Sequence, residues 1–346
     1  MDSRRNNFDA LRLLFAAMVI FSHSFALAGQ AEPVIWNRTL GNLGVHGFFI
    51  ISGFLIAQSY QRSGSLFKYG TNRFLRIVPG LVVALIVSSL IAARLHNFVH
   101  NPVPYISNGP VWTLAWEVIC YAAIAVLGIV GALSRTTFPA VFAVAWVLYL
   151  ANIGNGSDFF LAIVPLFLMF AAGALFALYL TEIRIELLVL ALIGLALTAH
   201  FGVFTYVDQL VVGHIPFLYG PVVTPEEVLR VIYIASFPVV VIWVGKLARP
   251  SVRITNDVSY GAYIYGWPVA QVLVFFALKW SIPLNPYLVF VTTMIITLPL
   301  AFVSWRLIEK PALSLKRRFQ KVSTTKEPEA EPELSEPLAV DGLTVA

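Results

Sequence analysis

The chain has 346 residues, 59% of them hydrophobic and only 12% charged, with a mean hydropathy of +0.81. A soluble domain carries about 25% charged residues, so a mainly aqueous surface is excluded. The net charge of +5 does not point to nucleic acid, because the basic residues cluster between apolar runs as membrane topology requires. The single cysteine, Cys120, excludes an intramolecular disulfide.

A spanning helix needs about 20 mostly apolar residues. Such segments are expected at 10–28, 41–60, 78–93, 111–131, 138–153, 159–180, 185–201, 228–246, 260–278 and 287–307. They define an all-α, polytopic transmembrane helix bundle of about ten helices. Arg4 and Arg5 precede the first segment, but no small-residue cleavage site closes it, so it reads as a retained helix and not as a signal peptide. The stretch 202–227 contains Gly202, Gly213, Pro216, Gly220, Pro221 and Pro225 and reads as a loop.

Lysine and arginine concentrate in alternate connections. One set holds Arg62, Lys68, Arg73 and Arg76, then Arg135, Arg184, and Lys246, Arg249 and Arg253. The other holds only Arg38, Arg94 and Lys279, with Arg230 near a boundary. The bias places both termini in the cytoplasm. Residues 1–321 form the integral membrane domain. Residues 322–346, rich in Glu, Pro, Ser and Thr, bury too little surface to fold and form a disordered tail. No internal repeat is visible, which argues against a transporter of inverted halves.

Ionisable side chains within spanning segments are costly and mark functional candidates. The first segment holds Asp9 and Arg12 at its inner end and His23 near its outer end. Eleven residues separate Arg12 and His23, which puts them within about 20° of one helix face and roughly 16 Å apart along it. Counting from helix ends sets Glu117, in the fourth segment, at a depth similar to that of His23. A carboxylate there could orient an imidazole that works as a base; alternatively, His23 only bonds between helices. His46, in the second segment, either lines the same cavity or sits at a pore mouth without chemistry. Its neighbours Gly41, Gly44, Gly47 and Gly53 suit close helix packing. Arg73 and Arg76, at the end of the loop before the third segment, lie on one side of a helical turn. They either fork onto phosphate or only set topology. Cys120 reads as a buried, inert thiol. His96 and His100 lack a third metal partner. The sequence contains no Gly-x-Ser-x-Gly elbow, P-loop or zinc-ligand cluster.

Six motifs in order resemble the membrane acyltransferase-3 family, which acylates sugars of bacterial surface polysaccharides. They are Asn7-Phe8-Asp9-Ala10-Leu11-Arg12 with Phe21-Ser22-His23, then Gly44 to Ile56 including Ser52, then Arg73-Phe74-Leu75-Arg76 with Pro79. Trp112-Thr113-Leu114-Ala115-Trp116-Glu117, Ser259 to Pro268 including Tyr263, and Glu309-Lys310-Pro311 complete the series. The resemblance spans residues 5–315. It implies transfer of an acyl group, acetyl by preference, from cytoplasmic acetyl-CoA to a hydroxyl of a glycan or lipid-linked sugar, such as exopolysaccharide or O-antigen. It also implies a multi-pass protein of the bacterial inner membrane. His23 and Glu117 become the catalytic residues, and Arg12, Arg73 and Arg76 the binders of coenzyme A. Asp9, His46, Ser52, Trp112 and Tyr263 support the site. No metal and no permanently bound cofactor is implied. The chain carries Gly266 where many relatives have histidine, and it has no fused hydrolase-like domain. The competing reading is a non-enzymatic transporter or exporter that relays protons through its intramembrane His and Glu; such a protein would consume no acyl donor.

Overall fold

The computed structural model describes residues 6–36, 38–153, 157–179, 184–199, 225–252, 254 and 256–315. Ten α-helices lie among them. They are α1 Phe8–Leu27, α2 Leu40–Ser63, α3 Leu66–Arg94, α4 Trp112–Ile129, α5 Phe138–Asn152, α6 Asp158–Tyr179, α7 Ile185–Ala199, α8 Pro225–Lys246, α9 Ser259–Lys279 and α10 Pro286–Ser304. Each expected spanning segment falls on one of them. Eight of these helical stretches are long and apolar enough to cross a membrane; α5 and α7 are shorter apolar helices. The protein is a multi-pass membrane protein. Valines and leucines of α5 such as Val144, Val147 and Leu148 are exposed, which in a bilayer is lipid contact and not a defect. The tail and residues 202–224 lie outside the described residues, whereas residues 225–227 of the expected loop belong to α8. Proline at a helix start and glutamates in the first turn favour that start.

Arg73 and Arg76 sit inside α3 and not in a loop before it, because α3 begins at Leu66. Gly64 closes α2 in the left-handed region at φ 65°. Ser65 then caps α3 by accepting a bond from the Lys68 amide. With two residues between helices, α3 has 29 residues, or about 43 Å, against an apolar thickness of about 30 Å. Its first turns include Gly70, Thr71 and Asn72, which are poor helix formers; burial of Tyr69, Asn72 and Leu75 along one face carries the helix through them.

We call the side on which α1 begins the first face and the side on which it ends the second face. The spine is α2, 72% buried along its apolar window against 22% for the stretch that contains α4. It packs on α1 and α6. A β-carbon at Gly53 would stand 1.9 Å from the Phe170 carbonyl oxygen, and one at Gly173 would stand 2.0 Å from that of Ile50. Backbone therefore touches backbone where α2 crosses α6, which gives the glycines a packing role. At the second face a two-stranded antiparallel ribbon, β1 Val34–Ile35 with β2 Arg38–Thr39, links α1 to α2.

The end of the connection 95–111 folds in against α9, although Val99, Tyr105 and Ile106 are exposed. Gln271 donates to the Val103 and Ile106 carbonyls, Trp267 Nε1 donates to Ile106, and Asn108 reaches the Ile264 carbonyl. These bonds draw its end down along α9, so α4 starts well inside the bundle. Glu117 is therefore deeper than its distance from the helix start suggests.

Candidate active site

Three arginines from two helices converge near the first face. Arg12 on α1 and Arg76 on α3 both pair with one oxygen of Asp257, Arg12 at 3.3 Å. Asp257 lies in the α8–α9 connection and is anchored by the Ser259 hydroxyl at 2.6 Å. Burial pushes its carboxyl up, but Arg76 and Arg12 outweigh that effect and hold it well below the usual carboxylate range. Arg73 has no carboxylate partner among the described residues; it donates to Ser59 at 3.2 Å, and its buried Nε is unpartnered. Arg73 and Arg76 thus face the bundle, which goes beyond a topology signal at the lipid boundary.

The three arginines line a chamber of about 640 Å³ of empty space, part of it open. Deeper in this chamber are Ser52, Glu117 and Tyr121. Glu117 accepts from the hydroxyls of Ser52 and Tyr121. Its hydrogen-bond partners are therefore these hydroxyls, and not the His23 imidazole. The depth of the α4 start explains that correction. Asp9 is half-buried one turn before Arg12, within the field of Arg12, Arg76 and Asp257, but it does not line the chamber.

A second cavity, with about 550 Å³ of empty space, part of it open, lies toward the second face. His23, Glu32, Thr39, Asn42 and Trp112 line it. The His23 ring stands edge-on to Trp267, with centroids 4.9 Å apart. Glu32 is the carboxylate on this side; it accepts from the hydroxyl of Ser22, the residue before His23. Val45, Thr113 and Tyr263 line both cavities and so form their common wall. Thr113 and Tyr263 share a hydrogen bond of 2.6 Å, and each can donate to the Pro110 carbonyl.

His46 lines neither of these cavities. Its Nδ1 is 2.9 Å from the Tyr233 hydroxyl, in a buried aromatic cluster on another side of α2. At Gly266, a β-carbon would stand 2.6 Å from Ile20 of α1; α1 fills the space that a histidine would need. Cys120 is buried, and no group of three or more metal-ligating side chains lies among the described residues.

Sequence reasoning missed Asp257, Glu32 and Tyr121. A signal existed for the first two. Asp257 is the only acid between Lys246 and Ser259, and Glu32 the only one between α1 and α2.

Comparisons with known proteins agree with this arrangement. A family model described as an acyltransferase domain matches residues 5–306, and the chain belongs to that family: it is a membrane-embedded acyltransferase. It is 28% identical to nodulation protein 10 of Rhizobium leguminosarum bv. viciae, over 90% of this chain and 94% of that one. It is 26% identical to an O-acetyl transferase of Shigella phage Sf6, over 90% of this chain and 97% of that one. No solved structure matches the chain.

Proposed function

We propose that the protein transfers an acyl group, acetyl by preference, from acyl-coenzyme A to a carbohydrate hydroxyl across a cytoplasmic membrane. The observation that carries this reading is the pair of stacked cavities. An arginine-lined one opens toward the first face, a histidine-lined one lies toward the second, and a thin wall separates them. The relative named as an O-acetyl transferase supports oxygen as the acceptor atom. Lysine and arginine placement makes the first face cytoplasmic.

Arg73, Arg76 and Arg12 grip the phosphates of the donor, since guanidinium forks match phosphate oxygens. Asp257 neutralises part of Arg12 and Arg76, so Arg73 offers the spare charge. The pantetheine arm extends past Ser52 and Glu117 to the wall at Thr113 and Tyr263. On the other side, His23 takes the proton from the acceptor hydroxyl as its oxygen attacks the thioester carbonyl. The tetrahedral intermediate collapses, the carbon–sulfur bond breaks, and the thiolate of coenzyme A leaves with a proton returned from His23. Glu32 replaces Glu117 as the carboxylate that supports the imidazolium. Glu117, held by two hydroxyls, shapes the donor channel.

The test uses the full chain in liposomes supplied with acetyl-coenzyme A and a glycan acceptor. His23→Ala should lower release of free coenzyme A by about 100-fold or more without changing thermal stability. Near-normal turnover in that variant would remove His23 from the chemistry.

A further inference from the structure

One polar cluster is unused by this mechanism. It lies at the second face, where the β1–β2 ribbon meets α2 and α8. Trp36, in the ribbon's turn, holds its ring 6.3 Å from Tyr233 and 5.9 Å from Phe237. Tyr233 in turn meets His46. Arg230 precedes Tyr233 by three residues and shares its side of α8. The Nε and Nη1 atoms of Arg230 are buried with no hydrogen-bond partner. Arg38, on β2, is its neighbour; burial, and then repulsion from Arg230, push the Arg38 guanidinium below its usual range. Neither arginine takes part in an ion pair among the described residues. Glu226, whose field reaches Arg38, is exposed at the helix start, and the Tyr149 hydroxyl lies in the fields of Arg38, Arg230 and Glu227 and offers Arg230 one oxygen.

Two partly buried guanidiniums that repel each other, one of them with two buried N–H groups that no described residue accepts, form an unfavourable arrangement on their own. An anion with several oxygens corrects both faults, because each fork can bind two oxygens and the shared negative charge cancels the repulsion. A tetrahedral phosphate suits two forks better than a planar carboxylate, which one fork already saturates. We infer that Arg38 and Arg230 form a phosphate-binding site at the second face of the protein. Its position is informative. Thr39 follows Arg38 on the strand, so its side chain goes to the opposite side of the ribbon, where it lines the cavity that contains His23. A phosphate held by Arg38 therefore sits beside the cavity assigned to the acceptor. On the acyl-transfer reading, the phosphate belongs to a lipid-linked carbohydrate and fixes how that acceptor enters. A phospholipid headgroup offers the same chemistry.

The experiment needs no acyl donor, so its result is independent of the transfer reaction. The full chain in phosphate-free maltoside micelles is titrated with inorganic pyrophosphate by calorimetry. Arg230→Gln and Arg38→Gln should each weaken binding about tenfold, the effect of one charge-assisted hydrogen bond. Arg230→Lys should recover part of the loss, and Arg184→Gln, at an exposed site, should bind as the unmodified chain does. Melting curves identify any variant that fails to fold; Arg38→Gln, outside the helices, then carries the test. Adding phosphatidylglycerol to the micelles distinguishes the sources. Competition with pyrophosphate assigns the site to a lipid headgroup, and its absence assigns it to the phosphate of another ligand. No binding of pyrophosphate, or equal binding by both glutamine variants, overturns the proposal.

Discussion

Asp257 holds two cationic helices to one loop. Its side chain is 16% exposed and those of both arginines are 20% exposed, so the pairs are shielded but not dry. Removing one partner of a buried pair leaves the other charge uncompensated, at about 3 kcal/mol. Asp257→Asn should lower stability by about that amount in denaturant titrations. The pH dependence follows from the depressed native value. An acid held below its unfolded value of 3.8 stabilises the fold fully above about pH 4. That contribution is lost as pH falls from there toward the native value. The gap between the unmodified chain and the Asp257→Asn variant should therefore narrow below pH 4; a gap of constant size would contradict the ion pairs. Arg73 has the opposite character, a cation with no carboxylate partner among the described residues. Arg73→Gln should raise KM for acetyl-coenzyme A about tenfold and change kcat little, since a phosphate grip stabilises ground and transition states alike.

At the scale of elements, the α2–α6 crossing sets how tightly the bundle closes. Gly53→Ala drives a methyl into the Phe170 carbonyl, and such overpacking costs about 1–3 kcal/mol. Gly70, on the exposed side of α3, meets nothing within 4 Å. Gly70→Ala should therefore leave stability unchanged or raise it by up to about 1 kcal/mol. Comparison of the two melting points separates close packing from helix propensity. The 95–111 connection is the other decisive element. It was legible as a loop, but its docking on α9 was not, because Gln271 donates to its Val103 and Ile106 carbonyls and its Asn101 and Asn108 side chains donate to carbonyls of α9, all between residues distant in sequence. Lengths counted from helix ends then misjudged the depth of Glu117.

For the whole molecule, charge placement sets the expected orientation in the bilayer. In a Cys120→Ser background, a cysteine at Gly64 should react with a membrane-impermeant thiol reagent only from the cytoplasmic side. One at Tyr105, which is 71% exposed, should react only from the other side. Labelling of both from one side would invert the assignment and place the arginine chamber away from the cytoplasm.

The helix count, the class of fold and the Arg12, Arg73 and His23 candidates were all legible in the amino-acid order. Hydropathy acts over 20 neighbouring residues, and lone charges stand out within it. Lateral pairing was not legible. Which carboxylate meets which cation or imidazole depends on how helices rotate and how far a loop sinks along α9, and both are settled by packing between residues distant in sequence. The tertiary structure alone therefore joined Arg12 and Arg76 through Asp257, gave His23 the company of Glu32, and moved Glu117 to the arginine side of the wall.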